Sequence, residues 1–111
     1  MDIILQGGSV VLPNNKIEEL DIGICDSKIN AIGDLSRSSS QKIINIKNLL
    51  VIPGAIDTQV HFREPGLTHK EDIFHGTMGA VLGGVTSIFE MPNTKPPTTN
   101  LKELSNKFKI A

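Results

Sequence analysis

Hydrophobic residues in the first half of the chain fall into short runs at 3–5, 9–12, 19–24, 29–32 and 43–46, rich in Ile, Val and Leu. Runs of this length and β-branched content predict strands. They are interrupted at Gly7-Gly8, Pro13-Asn14-Asn15, Asp26-Ser27 and Gly33-Asp34, all residues that accept tight-turn or left-handed backbone. The half therefore reads as antiparallel sheet made of hairpins. The serine-rich stretch at 37–40 carries little packing information and reads as a solvated connector with no function of its own.

Beyond Pro53-Gly54 the pattern changes. An alternating strand at 56–63 is followed by a loop, a helix over 71–82, a second strand over 85–91, another loop and the start of a further helix. This order is that of parallel β/α units. Ile73, Thr77, Ala80 and Val81 form a stripe at helical spacing, Glu71 and Asp72 suit the positive N-terminal end, and Gly83-Gly84 ends the helix. Thr98-Thr99-Asn100 offers an N-cap for the last helix, which places Leu101, Leu104 and Phe108 on one face. Two strands and two helices cannot close a barrel or cover both faces of a sheet, so this half is expected to expose apolar surface until something completes it. The last helix is expected to be cut short and the chain to be a fragment.

Composition narrows the class of function. The 111 residues carry 11 Lys+Arg against 12 Asp+Glu with no block of like charge, which argues against a nucleic-acid or membrane-surface binder. No stretch approaches the roughly 20 apolar residues of a spanning helix, and the first residues lack a basic segment ahead of an apolar one. The single cysteine, Cys25, excludes an internal disulfide and a cysteine-based zinc cluster. A soluble, unprocessed, cytoplasmic protein is the expectation.

The candidate chemistry lies on the strand at 56–63. A period of two puts Asp57, Gln59, His61 and Arg63 on one face and Ile56, Thr58, Val60 and Phe62 on the other. The polar face runs into Glu64-Pro65-Gly66, a loop at the strand's C-terminal end, which in β/α barrels is the active-site end. An imidazole near carboxylate and amide oxygens suits a divalent metal such as zinc, and the guanidinium fork of Arg63 suits a substrate carboxylate. A metal-bound water is then a candidate nucleophile. From spacing alone, a lone strand histidine is more often a structural hydrogen-bonding residue, and composition does not settle the matter. His69 and His75 read as solvated surface residues and are left outside the site. Asn93, in Met91-Pro92-Asn93-Thr94-Lys95-Pro96-Pro97, either shapes a proline-rich turn or meets the same ligand as Arg63.

At these residues the sequence resembles the amidohydrolase superfamily and, within it, the long type I dihydroorotases related to allantoinases and hydantoinases. Residues 21–33, Asp-Ile-Gly-Ile-Cys-Asp-Ser-Lys-Ile-Asn-Ala-Ile-Gly, and Val51-Ile52-Pro53-Gly54-Ala55-Ile56-Asp57 are similar to superfamily signatures. Phe62-Arg63-Glu64-Pro65-Gly66, Thr68-His69-Lys70-Glu71-Asp72, Gly83-Gly84-Val85-Thr86 and Met91-Pro92-Asn93-Thr94-Lys95-Pro96 discriminate further. Hydantoinase-like members usually lack the arginine matching Arg63. The resemblance implies an α/β chain: the N-terminal part of a small β-sandwich domain over 1–52, then the first β/α units of an incomplete TIM barrel over 53–111. It implies a zinc-dependent hydrolase interconverting carbamoyl aspartate and dihydroorotate in pyrimidine synthesis. Arg63 and Asn93 match positions that hold the substrate carboxylate, and His61 matches the second histidine of a His-x-His metal pair. No residue of this chain matches a catalytic acid or base.

Gln59 stands where the first histidine of that pair is expected, and a neutral amide oxygen is a weaker zinc ligand than an imidazole nitrogen. Gln59 either coordinates weakly, hydrogen-bonds a metal water, or marks a relative that has lost catalysis. Three readings follow: a cyclic amidohydrolase active once a missing barrel segment is present, a non-catalytic scaffold subunit, or a truncated remnant with exposed strand edges. Expected partners are a small-molecule substrate, the barrel segment, a second copy of the chain or aspartate transcarbamoylase.

Overall fold

The computed structural model describes residues 1–111, which form two compact units, Met1–Pro53 and Gly54–Ala111. The first contains strands β1 (Ile3–Val11), β2 (Ile17–Cys25), β3 (Lys28–Gly33), β4 (Lys42–Asn45) and β5 (Leu50–Val51). The second contains β6 (Ala55–Val60), helix α1 (Ile73–Leu82), β7 (Val85–Glu90) and helix α2 (Leu101–Ile110). The whole is mixed α/β, a sheet unit followed by β/α units.

In the first unit, β1 is central. It pairs antiparallel with β2, which pairs antiparallel with β3, and its other edge takes β4 along residues 3–6 and β5 along residues 9–10, both parallel. The sheet is thus mixed, where hairpins alone were expected. Period-two patterning is the same in both pairings, so it cannot distinguish them. Gly7-Gly8, expected to break the chain, instead lies within a nine-residue strand. Gly7 takes φ 76°, and the register with β2 shifts between Leu5 and Gly8, a bulge that inserts one residue. The turn at Asp26-Ser27 is as expected, with both residues at positive φ in the two-residue connection typical of a tight hairpin.

One side chain ties this unit together. Asp21 on β2 is buried, and its two carboxylate oxygens accept the Gly7 and Leu35 backbone N–H groups at 2.9 and 3.0 Å. Those two donors would otherwise lack partners, one at the bulge and one just after β3. The apolar centre is small: Ile4, Val10 and Ile22 are buried, while Ile29, Leu50 and Ile52 stay exposed.

In the second unit β6, α1 and β7 make a parallel β-α-β unit. The helix is set by its ends. Asp72 is the N-cap, accepting the His75 N–H at 2.8 Å, and the N–H groups of Gly83 and of Gly84, at φ 85°, return to the carbonyls of Gly79, Ala80 and Val81. Helix α1 starts at Ile73, so Glu71 lies outside the first turn in which it was expected. Only Ile73 of α1 is buried, and Phe74, Met78, Val81 and Leu82 (83% exposed) face outward. Apolar surface is left open on this unit, as the count of its elements implies.

Helix α2 begins at the Asn100 cap, whose side chain accepts the Glu103 N–H at 3.0 Å. Its packing is sparse. Leu101 and Phe108 are 81% and 75% exposed, and the residue buried is Lys107. Its ammonium meets the Glu90 carboxylate of β7 at 2.5 Å beside an open cavity of about 500 Å³ whose lining includes Phe62, Ile73, Leu104 and Phe108. A charge withdrawn from water needs such a partner, and the pair fixes the helix to the strand. The second Glu90 oxygen is buried without a partner. Lys107→Ala is expected to destabilise the second unit by about 3–5 kcal/mol, because it strands the Glu90 charge. The double change Glu90→Leu/Lys107→Leu should recover most of that loss in urea unfolding; equal stability of K107A and the unmodified chain would refute this account of α2.

Candidate functional site

Parallel strands joined by a helix present their C-terminal ends on the same side, so whatever follows β6 lies next to whatever follows β7. The ladder closes with the Met91 N–H donating to the Val60 carbonyl at 2.8 Å. β6 ends at Val60, and the alternation expected through residue 63 does not hold: His61 and Arg63 lie in the loop, not on a strand face. The register between β6 and β7 is also irregular between Asp57 and Val60.

The structure brings His61 and Asn93 together. His61 Nδ1 lies 3.0 Å from Asn93 Oδ1, and both side chains are exposed. Around them the backbone is held firmly. Phe62 and Thr94, the next residues in each loop, are buried, and Thr94 Oγ1 donates to the Pro96 carbonyl at 3.0 Å. The two loops are joined where the Lys95 N–H donates to the Pro65 carbonyl at 3.0 Å. Gly66, at φ 88°, passes so near that a Cβ there would fall 2.1 Å from the Lys95 carbonyl oxygen. Only glycine suits both that backbone angle and that approach.

The other expected site residues are placed less closely. Arg63 is half-buried at the start of a turn, its carbonyl accepting the Leu67 N–H at 2.8 Å, and its guanidinium forms no ion pair. Gln59 is exposed on β6, where its N–H donates to Asp57 Oδ1 at 3.0 Å; no hydrogen bond joins it to His61. His69 is exposed, and His75 is engaged with Asp72, its Nδ1 2.7 Å from Oδ1. No three His, Cys, Asp or Glu side chains gather anywhere in the chain. Zinc needs three or four donors, so His61 with Gln59 does not by itself make a zinc site.

Glu64 escaped the sequence reading. Its Oε2 accepts the Ile73 N–H, the first free donor of α1, at 2.9 Å. The loop after β6 is thereby fastened to the positive end of the helix nine residues on. Nothing in local spacing announces this, since cap patterns are read within a few residues of the helix start.

Sheet unit, β/α unit and paired loop residues at the strand ends together define an α/β protein. A profile described as Dihydro-orotase-like matches residues 48–109. The chain is 44% identical over 102 residues to a dihydroorotase of Geotalea daltonii, covering 90% of this chain and 24% of that protein. It superposes on an L-hydantoinase (dihydropyrimidinase) from Arthrobacter aurescens with a TM-score of 0.87 at 34% identity, covering 99% of this chain and 25% of the other. A D-aminoacylase described as having a binuclear metal centre matches with a TM-score of 0.61 at 32% identity, over 78% of this chain and 18% of its own. The chain belongs to the dihydroorotase-like amidohydrolase family and spans about a quarter of the length of the first two relatives.

The Asp72 cap gives a pH dependence. Hydrogen bonds from the backbone and side chain of His75 hold its carboxyl below the ordinary 3.8. A lowered folded value means the stabilisation is fully present above 3.8 and is lost as pH falls through the folded value. Helix content measured by circular dichroism should therefore drop in that acid range, and Asp72→Ala should lower helix content at neutral pH and flatten the acid step. An unchanged acid step in D72A would contradict the assignment.

Proposed function

We propose that these residues supply the first part of a dihydroorotase-like cyclic amidohydrolase, which interconverts carbamoyl aspartate and dihydroorotate in a TIM barrel completed by further β/α units. The sheet unit would be the first part of the accompanying β-sandwich. The observation that carries this reading is the meeting of His61 and Asn93 at 3.0 Å beyond the C-terminal ends of two adjacent parallel strands. That end of a β/α barrel is where active sites form. Exposed Phe74, Leu82, Phe89 and Leu101 support completion by further elements.

In this proposal Arg63, with its guanidinium unpaired, takes the substrate carboxylate in a two-point contact, and the Asn93 amide donates to the same group. His61 contributes one imidazole to a zinc site whose remaining ligands come from outside these residues. The setting is cytoplasmic. Gln59 favours a second reading, a non-catalytic scaffold that associates with aspartate transcarbamoylase or with its own copies, because an amide replaces the expected imidazole.

A chimera tests both readings. Residues 1–111 would replace the matching quarter of the Geotalea daltonii dihydroorotase, with and without Gln59→His, and bound zinc and dihydroorotate hydrolysis would be measured. The amidohydrolase reading expects hydrolysis at least in the Q59H chimera, and Arg63→Ala there should raise KM about 10- to 100-fold, the loss of a charge-assisted hydrogen bond. Activity and zinc only after Q59H would show that position 59 alone disables an otherwise intact site, and co-purification with aspartate transcarbamoylase would instead favour the scaffold reading. A folded, zinc-loaded Q59H chimera without dihydroorotate turnover would overturn the proposal.

A further inference from the structure

We propose that Asn93 is a positioning residue for His61: its Oδ1 holds the imidazole in the tautomer protonated at Nδ1, leaving the Nε2 lone pair free. The inference rests on the site reading above and deepens it by assigning Asn93 two tasks. An amide oxygen can only accept a hydrogen bond, so Oδ1 at 3.0 Å from the ring is matched by a proton on His61 Nδ1. An unrestrained neutral imidazole carries its proton mostly on Nε2, where it would block that nitrogen as a ligand or proton acceptor. The hydrogen bond at one ring nitrogen decides what the other can do.

The two residues are set in place by their neighbours. On one side Val60 is tied to Met91 and Phe62 is buried; on the other Thr94 is buried and hydrogen-bonded to Pro96, and the Thr98 N–H donates to the Pro92 carbonyl at 2.9 Å. Loops anchored on both sides of each residue present the pair before any ligand arrives. With Oδ1 turned to the imidazole, the Asn93 NH₂ keeps both its donors for an anionic group. One amide thus couples carboxylate recognition to the availability of His61 Nε2. Aspartate at this position would keep the first task and abolish the second.

The test reads ring-nitrogen protonation directly. In the ¹⁵N-labelled chain at about pH 8.5, where imidazole is neutral, long-range ¹H–¹⁵N correlation would distinguish Nδ1 from Nε2, with His61→Gln identifying the signal. The unmodified chain should show His61 protonated at Nδ1, Asn93→Asp should keep that state, and Asn93→Ala should move the proton mainly to Nε2. His75, whose Nδ1 faces Asp72 Oδ1, is an internal control that Asn93 variants should leave unchanged. If N93A shifts His75 as well, the variant has lost its fold, and the unmodified spectrum decides alone: a proton on Nδ1 supports the proposal and one on Nε2 overturns it. So does an N93A spectrum with His75 intact and His61 still protonated at Nδ1. No metal, substrate or turnover enters the measurement, so its failure leaves cyclic-amide hydrolysis standing, and an inactive chimera leaves the tautomer standing.

Discussion

Parallel pairing between β6 and β7 is the constraint from which the rest of the second unit follows. The helix between them returns the chain to the starting edge, so both strands deliver their following loops to one side. The last ladder bond, from Met91 to Val60, leaves His61 and Asn93 just past the edge. Each functional side chain is then held by loop contacts instead of by sheet pleat. The Lys95–Pro65 hydrogen bond, the close passage of Gly66 and the hold of Glu64 on Ile73 all serve that end.

Much of this was legible in the sequence, and the failures have physical causes. The positions of β2, β3, β4 and β7, the Asp26-Ser27 turn, the Asn100 cap and the Gly83-Gly84 stop follow from local rules, and the structure carries each. The faces of the strand at 56–63 did not transfer, because strand length depends on where its partner ends and a single strand does not contain that information. The parallel partners of β1 and the bulge at Gly7 were hidden for the same reason. Glycine in a strand signals either a break or a bulge, and the buried carboxylate that selects the bulge comes from β2. At the site, the adjacency of His61 and Asn93 was anticipated only as a shared strand end; their direct hydrogen bond was not.

Charge is used inside both units where a small apolar centre leaves gaps. Lys107 and Glu90 link helix to strand in the second unit, and Asp21 satisfies two backbone donors in the first. The cost differs. A carboxylate bonded to two amides has both oxygens satisfied, while Glu90 keeps one buried oxygen without a partner. Burial of ionic groups is favourable only when their remaining bonding capacity is met, so the α2 contact is the less self-sufficient of the two.

Asp21 carries a consequence for the order in which structure is gained. Its two oxygens receive amides from the kink of β1 and from the segment leaving β3, positions 28 residues apart in sequence, as Gly7 and Leu35 are numbered. Neither amide can be secured fully while β2 is unplaced. The kink and the exit of the hairpin therefore share one requirement, the placement of β2, and a local opening that withdraws Asp21 leaves both amides without their partner.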